Sequence, residues 1–241
     1  MKASAADQAQ LLEVQADDAR LDGLAHRRRT LPALAEIARL TGEIGALDGR
    51  LAEAATEVGD LTRAQSRAEN DTAPVRSRLD RNNARLASGQ GSAKDLQAMG
   101  NENESLHRRI AVLEEAELEV MEQLEQAQSA QAELAAARDG LAAELARAAE
   151  LRDAGFADVD DEIARVRPHR DGAAAQLPPD LAALYERKRR ASGGVGAAAL
   201  VDGRCGGCRL ELNVSELNAI RAAAPDEVLE CDECGRILVR Q

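Results

Sequence analysis

Residues 37–61 read IARLTGEIGALDGRLAEAATEVGDL, and their apolar side chains fall at Ile37, Leu40, Ile44, Leu47, Leu51, Ala54, Val58 and Leu61. Steps alternating between three and four residues define the a/d seam of a coiled coil, because they return to one side of a 3.6-residue helix. The seam continues more weakly through Ala68, Val75, Leu79 and Leu86. A second one runs Leu96, Met99, Asn103, Leu106, Ile110 and Leu113, then Val120, Leu124, Ala127, Leu134, Leu141 and Leu145. Glu117, Gln131 and Arg138 fall on its a/d positions and weaken it without erasing it.

Between the seams lies Ala87-Ser88-Gly89-Gln90-Gly91-Ser92, where two glycines end one helix and Ser92 can cap the next. The pattern predicts a mainly α protein, a long kinked antiparallel coiled-coil hairpin over 1–170 with its tip near 88–92. A tip centred near residue 90 makes facing partners add to about 179, so Leu40 should face the region of Arg138 to Leu141. Pro32 in the first arm and Asp153-Ala154-Gly155 in the second lie at similar heights, which predicts a kink and a short helix Val159 to Val166 against Leu11 to Leu24. Pro74 should bend the first arm. Pro168, the stretch Gly172 to Gln176 and Pro178-Pro179 predict a hinge over 171–194, carrying a helix Leu181 to Arg190 capped by Asp180.

Composition agrees with an elongated chain. Among 241 residues there are one Phe, one Tyr and no Trp, beside 44% apolar and 31% charged residues, which excludes an ordinary globular core. Residues 101–162 hold 17 acids and 5 Arg and so account for the whole net charge of −12. No apolar run reaches membrane-span length and the N-terminus lacks a signal-like apolar stretch, so a cytoplasmic protein is expected.

The four cysteines lie in Cys205-Gly206-Gly207-Cys208 and Cys231-Asp232-Glu233-Cys234. Two C-x-x-C knuckles at this separation provide four thiolates for a tetrahedral zinc ion; a redox dithiol is the competing reading. No histidine lies in the tail, and a shell of four thiolates leaves no position for water or substrate, which predicts one structural Zn2+. A domain of this size with little core needs such a staple. The segment 195–241 therefore reads as a zinc ribbon, β-rich with one short helix. Strands are expected at Val195 to Val201, Leu210 to Leu212, Val228-Leu229 and Ile237 to Val239, and a helix at Ser215 to Ala222 capped by Asn213 or Ser215.

The post-tip run Ala93-Lys94-Asp95-Leu96-Gln97-Ala98-Met99, the segments Leu113-Glu114-Glu115 and Leu184-Tyr185-Glu186, and above all Asp202 to Cys208, Glu216-Leu217-Asn218 and Cys231 to Leu238 resemble a bacterial family. This is the C4-type zinc-ribbon family with an N-terminal coiled-coil hairpin, once catalogued as a domain of unknown function. The resemblance covers essentially the whole chain and implies the same hairpin-plus-ribbon fold and no catalytic activity. Some relatives in the family look like adaptors or chaperones linked to an alternative sigma factor, to secretion substrates or to a messenger RNA, through residues not identifiable in this sequence. Asn103 departs from the family, which usually carries an apolar residue there; in the seam it would fix register.

Several charged groups invite functional readings. Glu114, Glu115, Glu117, Glu119, Glu122 and Glu125 form either a solvated face or a dock for a basic partner. Arg76, Arg78, Arg81, Arg85 and Lys94 near the tip either pair across the hairpin or meet an acidic partner. His26-Arg27-Arg28-Arg29, Arg165, Arg167, Arg170 and Arg187-Lys188-Arg189-Arg190 would make a phosphate-binding patch if they converge. His26, His107 and His169 read as surface residues. No nucleotide-binding or hydrolase motif occurs. The expectation is a non-enzymatic, zinc-binding adaptor or chaperone-like protein that binds protein partners through hairpin and ribbon. Nucleic-acid binding through Arg27, Arg28, Arg29, Arg187, Lys188, Arg189 and Arg190 is the rival. Phe156 and Tyr185, on either side of the hinge, mark where a compact apolar cluster is expected.

Overall fold

The structure is a computed structural model that describes residues Met1–Arg240. Along the chain come α1 (Ala5–Arg29), α2 (Pro32–Ser88), α3 (Ala93–Ala175), α4 (Pro179–Ala191), β1 (Ala197–Val201), β2 (Arg204–Cys205), α5 (Val214–Ala222), β3 (Leu229–Glu230) and β4 (Ile237–Arg240). Two compact units form: Glu36–Ala148, and Met1–Ala35 together with the chain from Ala149 on.

The Glu36–Ala148 unit is an antiparallel two-helix coiled coil. Only one stripe of each helix is covered, so its buried set is short and includes Leu40, Thr72, Leu79, Ile110, Leu124 and Ala127. At the tip Gly89 and Gly91 take positive φ, and Ser92 and Asp95 form a reciprocal cap: the Asp95 N–H donates to Ser92 Oγ and the Ser92 N–H to the Asp95 carboxylate. α2 continues unbroken through Pro74.

Polar pairs across the hairpin begin at about the expected sum and run beyond it: Arg78 with Glu102 adds to 180, Asp48 with Arg138 and Asn83 with Asn103 to 186, and Arg76 with Glu114 to 190. Long side chains reach along the partner helix, so these pairs spread around one register. Asn103 does lie in the seam, 7% exposed, with its Nδ2 donating to Asn83 Oδ1 at 2.7 Å. Two of the tip arginines pair across the hairpin, Arg76 with Glu114 at 2.7 Å and Arg78 with Glu102 at 2.5 Å, whereas Arg81 donates to Ser77 of its own helix.

In the other unit the helical punctuation falls in one arm only. Thr30 and Leu31 separate α1 from α2 because Pro32 disfavours a helical residue before it and starts the next helix at its first turn. α3 runs through Gly155 and Pro168 without a break, so Val159–Val166 is part of it rather than a separate helix. Gly155 leaves room for Leu31, whose Cδ2 lies 3.1 Å from where a Cβ would be. A single helical glycine costs only about 1 kcal/mol, which packing offsets. The expected hinge shrinks accordingly. α3 reaches Ala175, α4 begins at Pro179 without a side-chain cap from Asp180, and the intervening Leu177 is buried.

The sheet has strand order β2-β1-β4-β3, with β1 parallel to β4 and the outer pairs antiparallel. Leu210–Leu212 contributes only an isolated bridge, Arg204 with Glu211. Alternation along the strands divides the interior in two. Ala197, Ile237 and Val239 join Leu11, Val14, Ala173, Leu177, Leu181 and Tyr185 on one face. Ala198 and Leu238 join Leu212, Ile220, Cys205 and Cys231 on the other. The ribbon strands thus share a core with α1, the end of α3 and α4, so the expected boundary at residue 195 is not a packing boundary. Phe156 stays outside both clusters, under the Arg28 guanidinium at 4.3 Å, and only Tyr185 enters the core.

Two glutamines and one aspartate of α1 hold this core. Gln15 Oε1 accepts from the Gly196 N–H at 2.7 Å, and its Nε2 donates to the Gly194 carbonyl at 3.2 Å. Asp18, with a side chain 5% exposed, accepts from Tyr185 Oη at 2.6 Å and from Arg170 Nε at 3.0 Å, and it faces Arg189 Nε at 3.3 Å. Gln8 donates to the carbonyls of Ala3 and Pro225. The chain start is drawn in as well: the Ala3 N–H donates to Asp226 and the Val228 N–H to Met1.

Two outcomes follow from these contacts. Asp18→Ala leaves Arg170, Arg189 and the Tyr185 hydroxyl without their common acceptor and should lower stability by roughly 3 kcal/mol in denaturant titration. The Asp17 carboxylate, at 2.5 Å from Nδ1, raises the His169 pKa above its ordinary value of 6.5. The bound proton favours the folded state, so this contribution is complete below pH 6.5 and disappears as pH rises through the raised value. The melting-temperature difference between the native chain and His169→Gln should therefore shrink on going from acid to alkaline buffer.

Candidate metal centre

The four cysteine sulfurs lie within 4.8 Å of one another, with Cys205 Sγ and Cys234 Sγ 3.8 Å apart and Cys208 Sγ and Cys231 Sγ 4.0 Å apart. A tetrahedron of sulfurs about 2.3 Å from a zinc ion has edges of about 3.8 Å, so the thiols already stand at ligand spacing. Cys205 and Cys231 are buried in the layer between the sheet and α5, whereas Cys208 and Cys234 are half-buried.

Each knuckle is closed by its own backbone. The Arg209 N–H donates to the Cys205 carbonyl and the Gly235 N–H to the Cys231 carbonyl, both at 2.7 Å. The knuckles are fastened to the fold by Gly206 N–H on Ala199 and Cys231 N–H on Arg236. Gly207 is required by packing: a Cβ there would stand 2.5 Å from Arg236 Cδ, whose guanidinium donates to the carbonyls of Val195 and Ser192.

Burial pushes the Cys231 thiol up to about 12 and also raises Cys205, although the N–H groups of the knuckles favour their thiolates. Burial resists ionisation of Cys234 too, but the backbone and side chain of Arg236 and the neighbouring thiols together bring it down to about 7. Four thiolates in so apolar a pocket need a cation among them, and a soft divalent ion such as zinc matches a set of four sulfurs.

Several of the basic residues singled out in the sequence face carboxylates. Arg27 pairs with Glu162 and Arg28 with Asp160, each at 3.2 Å. Arg189 meets Asp22 at 2.7 Å as well as Asp18, and Lys188 pairs with Glu230. Arg29, Arg187 and Arg190 have no ion pair among the described residues. Sequence reading missed the attachment of Met1–Ala3 to Asp226–Val228. The Ser4–Asp7 capping box marks where α1 starts, but no local signal links it to residues near the far end of the sequence. Among the described residues, no helix is long and apolar enough to cross a membrane.

The fold and the sulfur cluster define a class: a coiled-coil hairpin protein carrying a four-cysteine zinc ribbon. The chain belongs to the CT398-like coiled coil hairpin family, whose domain matches residues 14–193, and a C4-type zinc ribbon domain matches residues 204–238. An uncharacterised protein of Mycobacterium tuberculosis (strain H37Rv) is 42% identical over 240 residues, covering 100% of this chain and 98% of the relative. One from Mycobacterium leprae is 31% identical, covering 91% and 94%. Among solved structures, a Mycobacterium smegmatis protein matches with a TM-score of 0.89 at 36% identity over 100% of both chains. CT398 from Chlamydia trachomatis matches at 0.69 and 17% identity over 98% of both, which shows the shared fold.

The two knuckles differ in the residue that follows the second cysteine, among other positions. Gly235 follows the second at φ 67°, and Arg209 follows the first at φ 63°, a left-handed conformation that glycine adopts freely and a Cβ disfavours by about 1 kcal/mol. Arg209→Gly should raise the thermal midpoint of the zinc-loaded protein and leave its zinc content unchanged.

Proposed function

We propose that this protein is a non-enzymatic adaptor in which one structural zinc ion per chain stabilises a ribbon head that docks protein partners. The observation that carries the reading is the closed set of four thiols, continuous through β1 and β4 with the core that Gln15 and Asp18 tie to α1. Four protein ligands complete a tetrahedral ion and leave no coordination site for substrate, so the metal acts on the fold. Cys205, Cys208, Cys231 and Cys234 would hold it, and its charge would stabilise their thiolates.

The nucleic-acid alternative needs free cations; Arg27, Arg28, Lys188 and Arg189 face carboxylates, which leaves it Arg29, Arg187 and Arg190. Cytoplasmic residence fits an adaptor with reduced cysteines.

Metal analysis of anaerobically purified protein should find about one zinc per chain. Cys231→Ser should lose the metal together with the β-strand signal of the ribbon; full zinc retention would overturn the four-thiolate assignment. Affinity capture from the native cell should retain a protein partner. A salt series with RNA and duplex DNA, comparing the native chain with Arg29→Ala/Arg187→Ala/Arg190→Ala, should show weak binding unaffected by the substitutions. Those three arginines lie outside the ion pairs that hold the core, so a steep salt-dependent affinity lost in the triple variant would instead establish the nucleic-acid reading.

A further inference from the structure

An open groove of about 620 Å³ runs between α5 and β3. Its floor includes Ala219, Ile220 and Leu229, and its lining carries the exposed carboxylates of Glu227 and Asp232 with no lysine or arginine; Glu216 also lines it but is buried and accepts the Asp232 N–H at 3.2 Å. Glu230 also borders it, but its carboxylate is engaged by Lys188.

β3 is the outermost strand of the sheet on this side. The Cys231 N–H donates inward to Arg236, so by antiparallel alternation the backbone groups of Val228 and Glu230 point away from β4. At Val228 that outer edge is already used, since its N–H donates to Met1. The same extended N-terminal segment bridges Lys2 to Glu227 and sets the Lys2 ammonium 2.9 Å from Asp226. The chain therefore contains a working example of what this edge accepts, an extended backbone carrying a lysine beside an acidic strand.

From this juxtaposition we infer that the α5–β3 groove is the docking site for an extended segment of a partner protein in which an apolar side chain is flanked by lysine or arginine. The apolar side chain rests on Ala219, Ile220 and Leu229. The flanking cations meet Glu227 and Asp232, and the backbone pairs with the outward groups of Glu230. Backbone pairing is limited to this one residue, so the groove floor and the carboxylates provide most of the selectivity. The inference rests on the adaptor reading and names the partner's chemistry and where it binds.

The test uses the full zinc-loaded chain and a fluorescein-labelled hexapeptide alternating lysine and leucine, with a glutamate–leucine hexapeptide as counterpart, read by anisotropy at physiological salt. The basic peptide should bind saturably and the acidic one should not. Ala219 and Glu227 are exposed, so Ala219→Arg and Glu227→Arg should retain zinc and thermal midpoint while weakening binding about tenfold or more. Glu119→Gln/Glu122→Gln/Glu125→Gln on α3 controls for general attraction to an acidic protein and should leave binding within about twofold. Unchanged affinity in both groove variants, or loss confined to the α3 variant, overturns the proposal. Captured native partner that still binds Ala219→Arg also overturns the groove while the adaptor reading stands. A native chain that retains no protein partner overturns the adaptor reading itself.

Discussion

The side chain of Asp18 is the interaction on which the head of this protein depends. One carboxylate on α1, nearly withdrawn from water, receives the Tyr185 hydroxyl of α4 and the Arg170 guanidinium of α3 and faces Arg189 of α4. Burying a charge is costly unless it is paired and hydrogen-bonded, so this geometry holds three helices in one arrangement. One turn earlier, Gln15 binds the Gly196 N–H at the entrance to β1. The helical scaffold and the ribbon strands are thereby placed together before the thiols are considered.

The ribbon follows from that placement. β1 and β4 are too short to make an independent sheet, and each strand has apolar residues on both faces. One face closes on Leu11, Val14, Leu181 and Tyr185, the other on Ile220, Cys205 and Cys231. A strand pair covered on both sides holds the two knuckles in register, which brings the four sulfurs to tetrahedral spacing. The metal-binding cluster is therefore a property of the packed head and is not confined to the Cys205–Cys234 segment. The same packing accounts for Arg189 of α4, which beside the buried Asp18 and the neighbouring Asp22 ties α4 to α1.

The coiled coil obeys a weaker constraint. Two helices in contact bury a single stripe, and a heptad stripe tolerates displacement by whole heptads. Asn83 with Asn103 and Asp48 with Arg138 remove that freedom, because a polar pair matched in one register is unmatched seven residues away. The low aromatic content suits such a seam, which has no interior deep enough for large rings. The ring that is deeply buried, that of Tyr185, lies where three helices and a sheet meet.

Much of the architecture was legible in local pattern. The alternating three- and four-residue spacing from Ile37, the Gly89–Ser92 tip and the paired C-x-x-C motifs depend on interactions within a few turns or knuckles, and these determined the hairpin, its tip and the cysteine set. Asn213 as the cap of α5 was readable for the same reason. Continuity of α3 through Gly155 and Pro168 was not, because a helix breaker states only a local cost, and at Gly155 the offset comes from packing of Leu31. Nor could the sequence show that Met1–Ala3 would line the edge of Asp226–Val228, or that Asp18 would collect Arg170, Arg189 and Tyr185. These contacts join residues more than 150 positions apart, and no periodicity carries information over that distance. The shared core of ribbon and helices and the acidic groove beside β3 were decided only when the chain folded, because each depends on which distant surfaces exclude water together.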